Sequence, residues 1–93
     1  MKLNVLGTLY DIHFTDEIED TDEAYCDAES RKICIKASLT EQERMLALLH
    51  EFIHAIDFES GLYQCTSHEV MEVSAETKAK CLLANFEIRL KNI

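Results

Sequence analysis

Residues 40–59 read TEQERMLALLHEFIHAIDFE, and this stretch decides the fold. Thr40 followed by Glu43 is the capping-box pattern that begins a helix, because each side chain can bond the other residue's backbone N–H group. Gly61 stands just beyond the stretch, and glycine commonly follows the end of a helix. The sequence therefore predicts a helix from Thr40 to about Glu59. Its apolar stripe, at helical spacing, consists of Met45, Leu48, Leu49, Phe52, Ile53 and Ile56.

The segments around this helix complete an α+β pattern. A second long helix is predicted from about Ser67, a suitable N-cap, to Leu90. β-Branched and aromatic residues predict strands ahead of the first helix, over residues 2–6, 8–14, from about 24–26, and over 31–37. Strands followed by helices indicate a small antiparallel sheet, of about three strands, followed by two long helices. We expect the 93 residues to form one domain, residues 1–93.

Composition and charge exclude several classes of partner. Nine lysines and arginines against 18 aspartates and glutamates give a net charge of −9 at pH 7. So acidic a chain is a poor ligand for nucleic acid or an anionic membrane, since phosphate contacts need basic side chains. No apolar run has the length of a signal peptide or a transmembrane helix. Four cysteines without a CxxC pair then predict a cytoplasmic protein with reduced thiols.

The first predicted helix carries a metal-binding motif. His50, Glu51 and His54 form the pattern HExxH. Two histidines four residues apart lie one turn apart on one side of a helix, where their imidazoles can bind a single zinc ion. Glu51 is rotated by about 100° from His50, so it flanks the metal and can take a proton from a zinc-bound water. The alternative is an exposed His/Glu face on an amphipathic helix.

A catalytic zinc ion normally takes a third protein ligand, and the second helix offers three glutamates. Extending the apolar stripe of that helix one turn toward its N-terminus lands on Glu72, whereas Glu69 and Glu76 lie nearer the edge of the stripe. A carboxylate directed inward is costly unless it is paired or bound to metal. Glu72 is therefore the predicted third ligand, with Glu76 and Glu69 as alternatives. A hydrogen bond between the helices would explain Glu72 without a metal.

Other polar residues have less definite roles. Asp57, three residues after His54, either orients a ligand histidine or is a solvated helix residue. For the lone histidines His13 and His68 a structural or exposed position is the default, although His68 precedes the third-ligand region and could reach a substrate there. An oxyanion could be stabilised by a tyrosine, although packing is the default for each of Tyr10, Tyr25 and Tyr63.

The chain resembles the ImmA/IrrE-type zinc metallopeptidases, in particular the small stand-alone forms of phages and mobile elements. The resemblance rests on ICIKASLTEQERMLALLHEFIHAID and on the following EVMEVSAETKAKCLL helix. It implies His50 and His54 as zinc ligands, Glu51 as general base and Glu72 as third ligand. It also implies a minimal zincin core in a bacterial or phage-infected cell, with a sheet edge, best matched by residues 31–37, that holds an extended substrate. Members of this family cleave repressor proteins or act in stress responses.

Three functions fit these patterns. The first is a zinc-dependent peptidase that hydrolyses a cytosolic protein, for example a repressor or regulator, and the intact Glu51 favours it. The second is a zinc-binding interaction module with little or no turnover, which the small size favours. The third is an acidic mimic that occupies a basic surface, suggested by the acid-rich stretch from Asp11 to Glu29, for which a solvated loop is the simpler explanation.

Overall fold

The computed structural model describes residues 1–19 and 22–90. Its elements follow the predicted α+β order, in which a small sheet precedes two long helices, so the fold class is confirmed. A short 3-10 turn, Leu62–Gln64, joins the helices. The strands and helices are β1 Lys2–Val5, β2 Thr8–Thr15, β3 Ala24–Asp27, β4 Lys32–Lys36, α1 Glu41–Glu59 and α2 His68–Asn85.

The sheet has four strands in the order β1-β2-β4-β3. Its outer pairs, β1 with β2 and β3 with β4, are antiparallel, but β2 and β4 run parallel, with Ile12 opposite Ile33. The prediction of an antiparallel sheet of about three strands is therefore wrong in these two details. The reason lies in β4, where three successive residues are buried, Ile33, Cys34 and Ile35. A strand covered on both faces takes an inner position, which here brings it beside β2.

The same burial corrects the predicted substrate edge. The resemblance placed that edge at residues 31–37, but β4 lies between β2 and β3 and has no free edge. The free edges belong to β1 and β3. Both contact α1, but only β3 lines the cleft that holds His50, Glu51 and His54. The edge strand next to the HExxH motif is therefore β3.

Helix α1 begins where the sequence predicts. The Thr40 hydroxyl accepts a hydrogen bond from the Glu43 N–H group at 3.2 Å, and the Glu43 carboxylate accepts one from the Thr40 N–H group at 2.9 Å. Both halves of the capping box are thus present. The helix packs on one face of the sheet, and the main core consists of Val5, Tyr10, Ile12, Ile33, Ile35, Ala47, Leu48 and Ala55. This packing fixes the orientation of the motif relative to β3.

Helix α2 packs against α1 through small residues. Ala75 and Ala79 are fully buried against Leu49 and Ile53 of α1, so the two backbones can approach closely. Ser67 caps the helix through the Val70 N–H group, as predicted. The helix ends at Asn85 and not at Leu90.

The early end of α2 follows from local bonding and packing. The Asn85 side-chain amide donates to the Cys81 carbonyl oxygen at 2.8 Å, and Phe86 is already extended. Ile88 and Leu90 then pack beside the core in a non-helical segment. Burying these two side chains outweighs one further turn of helix.

The four cysteines form no disulfide with one another. Cys34 lies opposite Tyr25 and Cys26 lies opposite Ile33, so the two strand cysteines point to opposite faces of the sheet. Within residues 1–19 and 22–90, neither helix is long and apolar enough to cross a membrane.

Candidate metal centre

The two histidines of the HExxH motif direct the same nitrogen atom toward one point. The Nε2 atoms of His50 and His54 are 3.0 Å apart, as expected for residues one turn apart on α1. Burial lowers the pKa of His54 below its usual value, against an opposing contribution from the Glu72 carboxylate. A lowered pKa favours the neutral imidazole at pH 7, which is the form that binds a metal ion.

Glu72 of α2 brings a carboxylate to the same point. Its Oε1 atom is 2.7 Å from Nε2 of His54, and its Oε2 atom is 3.4 Å from Nε2 of His50. The three donor atoms all lie within 4.8 Å of one another. A tetrahedral zinc ion with bonds of about 2.0–2.1 Å separates its ligand atoms by roughly 3.3 Å. The spacing and the N,N,O donor set therefore suit such an ion, and Glu72 remains 46% exposed, at the mouth of the site.

The other two candidate glutamates are not part of this donor group. Glu76 accepts from Nδ1 of His50 at 2.7 Å, on the ring nitrogen that faces away from the donor group, and also bonds Lys80 at 3.2 Å. Partial burial raises the pKa of Glu76, but these bonds outweigh it and hold that pKa below its usual value. Glu69 is exposed on the outer surface of α2, beside Val70 and Val73.

Tyr63 gives His54 a partner like the one that Glu76 gives His50. The Tyr63 hydroxyl oxygen is 2.7 Å from Nδ1 of His54. The turn that carries Tyr63 follows Gly61, whose φ of 82° lies in the left-handed region that glycine adopts without strain. Each imidazole thus has an oxygen partner on Nδ1, and its Nε2 atom is directed toward the donor group. The Nδ1 partners therefore hold both rings in an orientation in which they can bind one ion.

Glu51 enters the site from the side. Its side chain is 9% exposed and forms no hydrogen bond to another described residue. Burial raises the pKa of Glu51 to about 7, with the charge of His50 opposing this and those of Glu72 and Asp22 adding to it. A carboxyl group with a pKa near neutrality can both accept and return a proton.

The site lies in an open cleft of about 840 Å³. The edge strand β3 forms one wall through Ala24, Tyr25 and Cys26, and α1 and α2 form the others. Burial, followed by the charge of Glu51, raises the pKa of Cys26 to about 12, so its side chain is a neutral thiol. The cleft thus offers a free strand edge next to the candidate metal ligands.

The remaining predicted residues divide between the site and the scaffold. Asp57 is 5% exposed, so the solvated alternative is wrong, and its Oδ2 atom has no hydrogen-bond partner among the described residues. His68 lines the cleft, whereas His13 lies on the sheet face opposite α1. Tyr10 is fully buried and donates to Glu59 at 2.7 Å. Tyr25 lies on β3 at the cleft.

Comparison of the chain with protein-family models, curated proteins and solved structures finds no match. The resemblance to the ImmA/IrrE-type metallopeptidases therefore stays a prediction from the residues.

Proposed function

We propose that this protein is a zinc metallopeptidase of the ImmA/IrrE type that hydrolyses a cytosolic protein, for example a repressor or regulator. The observation that carries the proposal is the convergence of His50, His54 and Glu72 beside a buried Glu51 that has no hydrogen-bond partner among the described residues. A structural zinc site needs ligands but has no use for an acid at the position of Glu51. A hydrolytic site needs both.

Each residue of the proposed site has a distinct task. His50, His54 and Glu72 would hold zinc, which when bound supplies an electrophile that lowers the pKa of water and polarises a carbonyl group. Glu51 accepts a proton from the attacking water and passes it to the amide nitrogen that leaves, so that C–N cleavage consumes one water molecule. A bound cation would favour the charged, proton-accepting form of Glu51, as His50 does.

The cleft also supports binding of an extended peptide. Strand β3 pairs with β4 on one side, and no other strand of the described residues pairs with its second edge, which can hydrogen-bond an added strand. Tyr25 and Cys26 place that edge in the wall of the same cleft as His54. A peptide along β3 would therefore run past the zinc ligands.

The second candidate is a zinc-binding module that regulates a partner without turnover. One observation favours it: the hydroxyl group of Tyr10 already donates to Glu59, so it is not free to stabilise an oxyanion. The two functions make different predictions for Glu51, because only hydrolysis requires its carboxylate.

Glu51→Gln separates the two functions. We expect about one zinc ion per chain in wild type and in Glu51→Gln, because Glu51 is not a ligand. Incubation with a defined mixture of unstructured peptides, read by mass spectrometry, should give cleavage with wild type and a loss of about 100-fold or more with the variant. Glu69→Gln, on the outer surface of α2, is the matched control and should cleave normally. Cleavage that persists in Glu51→Gln contradicts the proposed mechanism, and zinc binding without cleavage by wild type favours the module.

A further inference from the structure

The negative charge of the cleft indicates which kind of peptide it binds. Six acidic residues line the cleft, and no lysine or arginine does so among its described residues. These acids are Asp22, Glu23, Glu43, Glu51, Glu72 and Glu76. Even with a divalent cation bound, the cleft would keep a net negative charge. We propose that its substrates are peptide segments rich in lysine or arginine, an inference that rests on the proposed peptidase function.

Half of these acids already have a task within the protein. Glu72 and Glu76 contact the histidines, and Glu43 caps α1. Asp22 and Glu23 differ, because both are exposed and neither side chain forms an ion pair or hydrogen bond with a described residue. They stand immediately before β3, at the start of the edge where a peptide would add. Their charges are therefore available to a ligand.

A second feature of the cleft is independent of the acids on its rim. Phe58 lines the cleft with 46% of its surface exposed. Aromatic faces attract lysine and arginine head groups and pack against their aliphatic stems. Glu51, although 91% buried, is directed into the same space without a hydrogen-bond partner among the described residues. The cleft thus combines aromatic surface, unpaired carboxylates and a free strand edge.

These features distinguish a selective cleft from the general acidity of the chain. A net charge of −9 attracts any cation weakly and at long range, and salt screens that attraction. Charges gathered in a concave site act at shorter range and raise the rate and affinity of association with a matching ligand. Removing rim charges should therefore matter more than removing equal charges elsewhere.

The test compares two 12-residue peptides that differ only by four lysines in one and four glutamines in the other. Binding is measured by fluorescence anisotropy on zinc-loaded Glu51→Gln protein, so that the peptides stay intact. We expect the lysine peptide to bind about tenfold more tightly at low salt. Adding Asp22→Asn and Glu23→Gln should reduce this preference to about twofold. The matched control adds Glu17→Gln and Glu19→Gln, which remove the same charge outside the cleft and should preserve the preference.

Two outcomes overturn the inference: equal binding of the two peptides, or an equal loss of preference in the rim and control variants. Neither outcome bears on hydrolysis, which is read from the cleavage assay of wild type and Glu51→Gln. Conversely, a lysine preference that disappears only with Asp22 and Glu23 supports the inference even if the peptides are not cut. The two proposals can thus fail separately.

Discussion

Tyr63 and His54 are joined by a contact of 2.7 Å between the phenol oxygen and the Nδ1 atom. When Nε2 of a neutral histidine binds a metal ion, the ring hydrogen lies on Nδ1 and needs an acceptor. The Tyr63 oxygen supplies that acceptor for His54, as the Glu76 carboxylate does for His50. The two rings are therefore held by different chemical groups, one neutral and one charged.

Tyr63→Phe should weaken zinc binding. Without the phenol oxygen, Nδ1 of His54 loses its partner, and loss of such a partner typically costs 10–100-fold in affinity. Competition with a chromophoric chelator measures the change. Tyr25→Phe removes a tyrosine hydroxyl from β3 without touching a histidine and should bind zinc as wild type does. Equal affinities for Tyr63→Phe and wild type would contradict a positioning role for Tyr63.

Glu72→Ala should weaken zinc binding more than Tyr63→Phe does. The substitution removes the carboxylate that reaches both Nε2 atoms and leaves an ion with two protein ligands. The same chelator competition, with zinc content by elemental analysis, measures the effect. Glu69→Ala, one turn earlier and directed outward, is the control. Full zinc affinity in Glu72→Ala would show that the third ligand lies elsewhere.

The part of the site that lies on one helix could be predicted from sequence. The helical period alone brings His50 and His54 together, and the capping-box pattern of Thr40 and Glu43 predicts where the helix begins. Glu72 followed from the same reasoning applied to the next helix. These predictions needed only interactions between residues close in sequence.

The rest depends on how the elements pack. The contacts of Glu76 and Tyr63 with the histidines are set by the tilt of α2 and by the turn after Gly61, neither of which leaves a periodic signal. The parallel pairing of β2 with β4 joins residues about 21 positions apart, such as Ile12 and Ile33. Pairing of strands that are adjacent in the chain is the simpler expectation, and it leads to the antiparallel sheet that the structure corrects.

Zinc should raise the thermal stability of the protein. A ligand that binds only the folded state stabilises it by about 2.7 kcal/mol at a free concentration of 100 times its Kd. For a domain of this size, each kcal/mol shifts Tm by about 4–8 °C. Thermal unfolding with added zinc and with a chelator measures the difference. A variant with both His50→Ala and His54→Ala should show no change of Tm with zinc. An equal Tm of wild type with and without zinc would contradict a specific site.

Thr40→Ala should destabilise the fold without changing zinc affinity. It removes the hydroxyl that accepts from the Glu43 N–H group, and loss of such a cap costs about 1 kcal/mol. Chemical denaturation measures the free energy of unfolding. Ser38→Ala, just outside the helix, is the control, because its hydroxyl forms no hydrogen bond with a described residue. Equal stability of the two variants would contradict the importance of the capping box.

The free energy of unfolding should fall in alkaline solution, partly because the Cys26 thiol ionises more easily in the unfolded chain. Burial raises the pKa of Cys26 to about 12 in the folded protein, whereas an unfolded cysteine ionises near pH 8.5. The neutral thiol therefore stabilises the fold fully below about pH 8.5, and this contribution is lost as the pH rises toward 12. Cys26→Ala should lose less stability than wild type between pH 8 and pH 10. Exposed Cys65→Ala is the control, and parallel pH profiles for wild type and Cys26→Ala would contradict the assignment.

The order of events during folding follows from where the site residues lie in the chain. His50, His54, Tyr63, Glu72 and Glu76 fall within one continuous segment, on two helices joined by a short turn. Closing that turn costs little chain entropy, whereas the parallel β2–β4 pair must close a longer loop. The helix pair should therefore assemble early, and zinc would bind a helical hairpin before the sheet is complete. Metal capture would then guide the fold toward its native arrangement as well as stabilise the finished structure.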